Sequence, residues 1–175
     1  VLFEKAQNKI FISSSFEKHH SESVYLEIAV PVYINVIVWG INTAVEIYGM
    51  QGTVRAHTLT GLITAEDITS SVSLTSDSGD IVFRSKLQPE KDVRTESTTG
   101  NILCELENGL SFRGWARAGG VLSWNRSVEI QNGSLEKHIG VGGPLLYSSS
   151  LKSNVRFTFL SRREVWPTNQ SQVGN

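Results

Sequence analysis

The sequence predicts an all-β fold and, within that class, a β-solenoid of roughly five to six coils. Three observations lead there. The first is a unit written four times: Val54-Arg-Ala-His-Thr-Leu-Thr-Gly61-Leu-Ile63, Val72 through Gly79 to Ile81, Val93 through Gly100 to Ile102, and Phe112 through Gly119 to Val121. In each, an apolar residue is followed seven positions later by glycine, and two positions after that by Ile or Val. Val45, Gly52 and Val54 form a shorter leader on the same spacing. The second is the period. Gly61, Gly79, Gly100 and Gly119 step by 18, 21 and 19 residues, and a repeat near 20 residues marks coils that bury their apolar faces only by stacking. The third is the scarcity of helical signals. The nearest candidate, Thr64-Ala-Glu-Asp67, is too short.

Taken in order, residues 1–35 read as a cap, 36–160 as the repeats and 161–175 as a frayed polar tail. Lys9–Ile12 is a short strand, and the polar stretch from Ser13 to Ser23 is a surface loop. Val24–Val30 alternates as a strand should, and Pro31 ends it. Val32–Trp39 follows as a second strand, with a turn at Gly40 to Thr43. Lys86–Asp92 reads as an insertion between coils. Beyond Val121 the pattern loosens. Val128–Gly133 is a strand with a turn, and His138–Pro144 is a glycine-rich loop. Leu146 to Val155 then repeats the spacing with Ser153 in the glycine place, and Val155–Phe159 is the outgoing strand.

Strand side chains alternate between faces, so even positions of each unit share one side. Position 0 is Val54, Val72, Val93 and Phe112. Position 2 is Ala56, Leu74, Thr95 and Gly114. Position 4 is Thr58, Ser76, Ser97 and Ala116, and position 6 is Thr60, Ser78, Thr99 and Ala118. This inward face tapers toward a narrow corner, where Gly61, Gly79, Gly100 and Gly119 allow positive φ or close backbone approach. The corner must shift the phase by one to bring Ile63, Ile81, Ile102 and Val121 back to the core, followed by Ala65, Phe83, Cys104 and Ser123. The odd positions, such as Arg55, His57, Asp77, Glu96 and Thr98, form the outer wall.

A chain of 175 residues is one domain or a piece of a larger protein. Its net charge of −1 draws in neither nucleic acid nor an anionic membrane. The longest apolar run, Ile28–Trp39, is broken by Pro31 and Asn35, so no membrane insertion is expected in this segment. The start, Val1-Leu-Phe-Glu-Lys, has neither methionine nor the form of a signal peptide, which is the expectation for a chain trimmed at its front. The single cysteine, Cys104, excludes an internal disulfide and falls on an inward column, as a buried inert thiol.

The strand closing on Val30-Pro31, the Gly61-Leu-Ile63, Gly79-Asp-Ile81 and Gly100-Asn-Ile102 units, and the Gly142-Gly-Pro144 loop resemble an adhesin-like β-solenoid family, a domain group of unassigned function common in bacterial cell-envelope proteins. The resemblance covers roughly residues 24–160. It implies a right-handed parallel β-helix and a cell-surface or extracellular setting, and it brings no catalytic residues. The sequence departs from the family pattern at Ser153 and in the Phe112–Gly119 unit.

No catalytic set, cofactor site or metal site emerges. Parallel coils align side chains in columns about 4.8 Å apart, and polysaccharide-cleaving β-helix enzymes place carboxylates on neighbouring coils. Here no outer column carries two acids in a row. Asp77 and Asp80 read as turn caps, Glu66-Asp67 as a solvated turn, and His19-His20 as a solvated pair. Gly140–Pro144 lacks the Lys-Ser/Thr of a phosphate loop and reads as a turn. Asn125-Arg-Ser127, Asn132-Gly-Ser134 and Asn169-Gln-Ser171 fit the N-glycosylation pattern. Trp115, outward-facing between Arg113 and Arg117, makes these three the candidate binding surface for a glycan or a protein. The expected function is a non-enzymatic adhesin-like or scaffold module, able to associate through its end coils. The alternatives are a carbohydrate-active enzyme and an ice-binding solenoid. The latter needs Thr58/Thr60, Ser76/Ser78 and Ser97/Thr99 to face outward together, against the parity read here.

Overall fold

The structure is a computed structural model that describes residues 2–6, 9–13, 25–85, 91–107, 110–125 and 128–160. The described residues contain strands and turns and no helix. The chain divides into two compact units, Val1–Val30 and Pro31–Asn175. The first holds an antiparallel pair, β1 (Leu2–Ala6) and β2 (Lys9–Ser13). Residues 25–30, expected as a strand, have no regular structure. The polar loop with His19 and His20, most of the Lys86–Asp92 insertion, Asn169 and the 161–175 tail lie outside the described residues.

The second unit contains two seven-stranded, mostly parallel sheets. The chain alternates between them. A strand in the first sheet, a corner, and a strand in the second make one lap. The laps in chain order are β3 (Val36–Asn42) with β4 (Val45–Tyr48), β5 (Val54–Thr60) with β6 (Ile63–Glu66), β7 (Val72–Ser76) with β8 (Ile81–Ser85), and β9 (Val93–Ser97) with β10 (Ile102–Glu107). Then come β11 (Phe112–Ala118) with β12 (Val121–Trp124), β13 (Val128–Gln131) with β14 (Ser134–Ile139), and β15 (Leu145–Ser150) with β16 (Val155–Leu160).

Spatial order departs from chain order at one place. The first sheet runs β14-β11-β15-β9-β7-β5-β3 and the second β13-β12-β16-β10-β8-β6-β4. The last lap, 145–160, is therefore inserted between the 93–107 and 112–124 laps, parallel to both. The 128–139 lap runs in reverse and lies antiparallel on the outside, on β12 and β11. Just after it, three glycines, Gly140, Gly142 and Gly143, take φ of +68°, +74° and +104° where the chain bends back to begin the inserted lap.

The inward columns form the core between the sheets. Val54, Val72 and Val93 are buried, as are Ile63, Ile81 and Ile102 across the corner, then Ala65, Phe83 and Cys104. The one-residue phase shift at the corner is therefore present. Position 4 is buried as expected (Thr58, Ser76, Ser97, Ala116), but at position 6 Thr60, Ser78 and Thr99 are exposed, because the chain has already begun to bend. With position 4 buried, the two-column hydroxyl array that ice binding would need does not form.

The position-4 hydroxyls hold the corners. Ser97 Oγ accepts the Gly100 N–H at 2.8 Å and donates to the Gly79 carbonyl of the neighbouring lap at 3.2 Å. Ser150 does the same one lap further, accepting from Ser153 N–H and donating to the Gly100 carbonyl at 2.8 Å. Ser76 accepts the Gly79 N–H at 2.7 Å. Ser97→Ala would leave a buried N–H and a buried carbonyl without this partner, and we expect a loss of about 1–3 kcal/mol in denaturant unfolding.

Two units are framed differently from the sequence reading. The first lap is Val36 to Val45, since Val36 pairs with Val54 and Val45 with Ile63. The leader read from Val45 is thus out of phase, Val32 and Tyr33 lie in a turn, and the strand continues through Gly40 to Asn42. In the 112–124 lap, Gly114 stands opposite Leu146 and Leu122 opposite Val155. Leu122 and Trp124 are the core residues there, and Val121 is only half-buried. Gly119 does not follow Gly100: Gly61, Gly79 and Gly100 stack in a row, then Leu151-Lys152-Ser153 intervenes before Gly119 and Gly120. Finally, Thr64–Glu66 is strand, and His138 and Ile139 belong to β14.

An aromatic cluster fills the far end of the core. Phe112 lies 5.9 Å from Phe159 and 6.0 Å from Trp124, and Trp124 lies 4.7 Å from Phe157, between ring centres. Gly114 makes room, because a Cβ there would approach the Trp124 ring to 2.7 Å.

Candidate functional site

The outer face of the first sheet carries the residues expected to bind. Arg113, Trp115 and Arg117 all project from the outer side of β11, because they alternate with the buried Phe112, Gly114, Ala116 and Ala118. The inserted lap changes their neighbours. Trp115 stands opposite Tyr147, itself opposite Arg94, and Arg117 stands opposite Ser149, itself opposite Glu96. Trp115 is therefore in the Arg94 column, not the Glu96 column that the repeat frame implied.

The pairing produces a three-layer stack. The Trp115 and Tyr147 rings are nearly parallel (5°), with centres 4.6 Å apart. The Arg94 guanidinium carbon lies 5.0 Å from the centre of the Tyr147 ring. Arg94 is held in turn by both oxygens of Glu96, at 2.8 and 2.9 Å. That hydrogen bond is the main reason its pKa rises above the ordinary arginine value. Trp115 is half-buried by this stack and is not the freely exposed ring expected from its column.

Beside the stack a shallow groove of about 370 Å³ opens to solvent. Arg117, Glu96, Thr98, Asp77, Tyr147 and Ser149 are among the residues lining it. Of the three expected binding residues, only Arg117 reaches the groove, and Arg113 lies outside its lining. Trp39 and Trp124, grouped with Trp115 by residue type, are elsewhere: Trp39 is on β3 against His57, and Trp124 is in the core.

The second sheet's outer face is structural. Arg84 bridges Glu66 at 2.5 Å and Glu105 on its other side, so a cation separates two acids in one column. Hydrogen bonding to Glu105, partly offset by burial and aided by Glu66, raises the arginine's pKa. Glu66 is thus an ion-pair partner and not a solvated turn residue. All three stand three positions after Ile63, Ile81 and Ile102, so the column is written in the sequence. At the corner, Asp80 accepts the backbone N–H of Asn101 at 2.7 Å, and Asn154 accepts that of Val121 at 2.7 Å. Asp80 is a cap between laps, as its place suggested.

Cys104 is fully buried, with its sulfur 3.5 Å from Ser148 Oγ and 4.0 Å from Thr95 Oγ1. Burial pushes its thiol from an ordinary value of 9.0 up to about 11, against the opposing hydrogen bonds from Ser148 and Thr95. Between these values the unfolded chain loses the thiol proton and the folded chain keeps it, so stability is complete below pH 9 and falls as pH rises toward 11. The shift corresponds to about 3 kcal/mol. Urea unfolding under reducing conditions should show this alkaline loss in the native chain and a smaller loss in Cys104→Ala. A thiol reagent at neutral pH should titrate Cys104 only after denaturation.

Among the described residues, no group of three His, Cys, Asp or Glu side chains is placed to hold a metal ion. No helix among them is long and apolar enough to cross a membrane. Fold and face together define an all-β protein of repeated strands in two mostly parallel sheets, with a polar groove beside an aromatic–arginine stack. No protein-family model matches the chain, and neither does any curated protein or solved structure.

Proposed function

We propose that this chain is a β-solenoid of the adhesin-like kind and that it acts as a non-enzymatic binding module, holding a carbohydrate chain in the groove on its first sheet. The groove itself carries this reading. It presents a cation at Arg117, a carboxylate at Glu96 and the edge of Tyr147 from adjacent parallel strands, and a carboxylate at Asp77 and a hydroxyl at Thr98 from the corners that follow β7 and β9. Mixed donors and acceptors beside an aromatic ring suit a sugar's hydroxyls, and the strand ladders fix them without an ordering cost on binding. The Tyr147 ring has Trp115 on one side and Arg94 on the other, so its edge, not its face, is offered to the ligand.

The test is a survey of polysaccharides and oligosaccharides by array, followed by calorimetry. Arg117→Ala and Thr98→Ala should each weaken a bound sugar by about tenfold. Val141→Ala, at a site 98% exposed at the far turn, should leave it unchanged. Absence of binding, or binding insensitive to both groove variants, would reject the assignment.

Asp77 and Glu96 in one groove favour a second reading, a carbohydrate-active enzyme. Against it, Arg94 engages both oxygens of Glu96, which ties that carboxylate to a structural role. Release of reducing ends or unsaturated products from polyuronides, lost in Asp77→Asn, would favour the enzyme.

A further inference from the structure

The two ends of the stacked sheets are finished differently. At one end the reversed lap covers β11 and β12, and its strands carry Glu129, Glu136, Lys137 and His138. Charges on terminal strands discourage further pairing. At the other end β3 is, among the described residues, terminal in its sheet, and it reads Val36-Ile-Val-Trp-Gly-Ile-Asn42, with no charge and no proline. Its outward side chains Ile37, Trp39 and Ile41 are 61%, 77% and 72% exposed. Leu59, beside Ile41 on β5, widens this apolar stripe.

The backbone of β3 is oriented for pairing. Val36 N–H donates to Thr53 of the β5 side at 2.9 Å. Backbone groups alternate sides along a strand, so Val36, Val38 and Gly40 bond toward β5, and the N–H and C=O groups of Ile37, Trp39 and Ile41 face the open edge. The apolar pattern is symmetric about Trp39, with Ile37 two residues before it and Ile41 two after. A two-fold axis through Trp39 therefore sets Trp39 against its own copy and Ile37 against Ile41 of the other chain. These are the residues whose backbone groups are directed outward, so each facing pair exchanges two hydrogen bonds.

We propose that β3 is a self-association edge, through which two copies of this chain pair antiparallel about Trp39 and join their first sheets into one continuous sheet. The partner is a second copy because the stripe complements itself under this rotation. The contact closes at a dimer because the opposite end is covered by the charged reversed lap.

The experiment uses the full chain. Sedimentation velocity should show a dimer whose dissociation constant rises at least about tenfold in Trp39→Lys, a substitution at an exposed position that the fold tolerates. Residues opposed across a two-fold in a hydrogen-bonded pair have Cα atoms about 5.5 Å apart, within disulfide reach. Trp39→Cys should therefore give a covalent dimer under mild oxidation, while Val141→Cys, at the other end, should not. Cys104, being buried, adds no background. A chain that stays monomeric at all concentrations overturns the proposal, whether Trp39 is then open to an aqueous quencher or shielded by residues 1–30. So does a dimer that cross-links through Val141→Cys and not through Trp39→Cys.

Discussion

Gly79→Ala is expected to destabilise the protein by about 3 kcal/mol or more, and Gly79→Val to prevent folding. The reason is proximity. A Cβ on Gly79 would fall on the carbonyl oxygen of Gly61 in the neighbouring lap, and one on Gly100 would fall on that of Gly79. The obstruction is backbone, so no rotamer change relieves it. The laps would have to separate at the corner, breaking the bonds from Asp77 N–H to Thr58 and from Ser78 N–H to Leu59, and loosening the ladder between β5 and β7. Gly142→Ala is the control. It has φ of +74° and nothing within 4 Å of its added Cβ, so it should cost only about 1–2 kcal/mol of backbone strain. Equilibrium unfolding of the two variants separates close approach from conformational freedom as the reason for glycine at the corners.

Phe157→Ala is expected to cost about 3–5 kcal/mol, as much as Phe83→Ala in the middle of the stack. Phe157 is fully buried, stands opposite both Cys104 and Trp124, and packs its ring 4.7 Å from Trp124. Losing the side chain opens a cavity shared by two laps. Had residues 145–160 simply followed the 112–139 segment as a final strand pair on the outside, Phe157 would touch one neighbour and its loss would cost much less. Thermal or urea unfolding of the two alanine variants decides between these arrangements.

The repeating part of this architecture was legible because each lap re-uses the same side-chain positions. Val54, Val72 and Val93, with Ile63, Ile81 and Ile102 nine residues on, are buried as the spacing requires. The order of the laps was not legible. Leu146 and Val155 show the same spacing as Val93 and Ile102, but spacing identifies a lap without saying which lap it lies against. The frame of the 112–124 lap slipped by two residues on its first strand, where an even slip leaves every side chain on its own face and alternation cannot detect it; on its second strand the slip is one, and Leu122 takes the core place read for Val121. At the start, Val36 and Val45 stand nine apart like the later pairs, but the place seven after Val36 is Thr43 and not glycine, whereas Gly52 stands seven after Val45 and marks the wrong frame.

The site was legible only in part. Alternation placed Arg113, Trp115 and Arg117 outward, and they are outward. The Trp115–Tyr147–Arg94 stack depends on the inserted lap, so no reading of neighbouring units could assemble it. The Glu66–Arg84–Glu105 column could have been found, since those residues share one offset from the buried isoleucines.

The insertion of 145–160 between two earlier laps is the claim on which the groove and the core both rest. Backbone proton–proton contacts measured by NMR test it most directly. The predicted result is contacts from Arg156 to Leu103 on one side and to Ser123 on the other, with none between Leu103 and Ser123. Direct cross-strand contacts between 102–107 and 121–124, with 155–160 outside both, would contradict it.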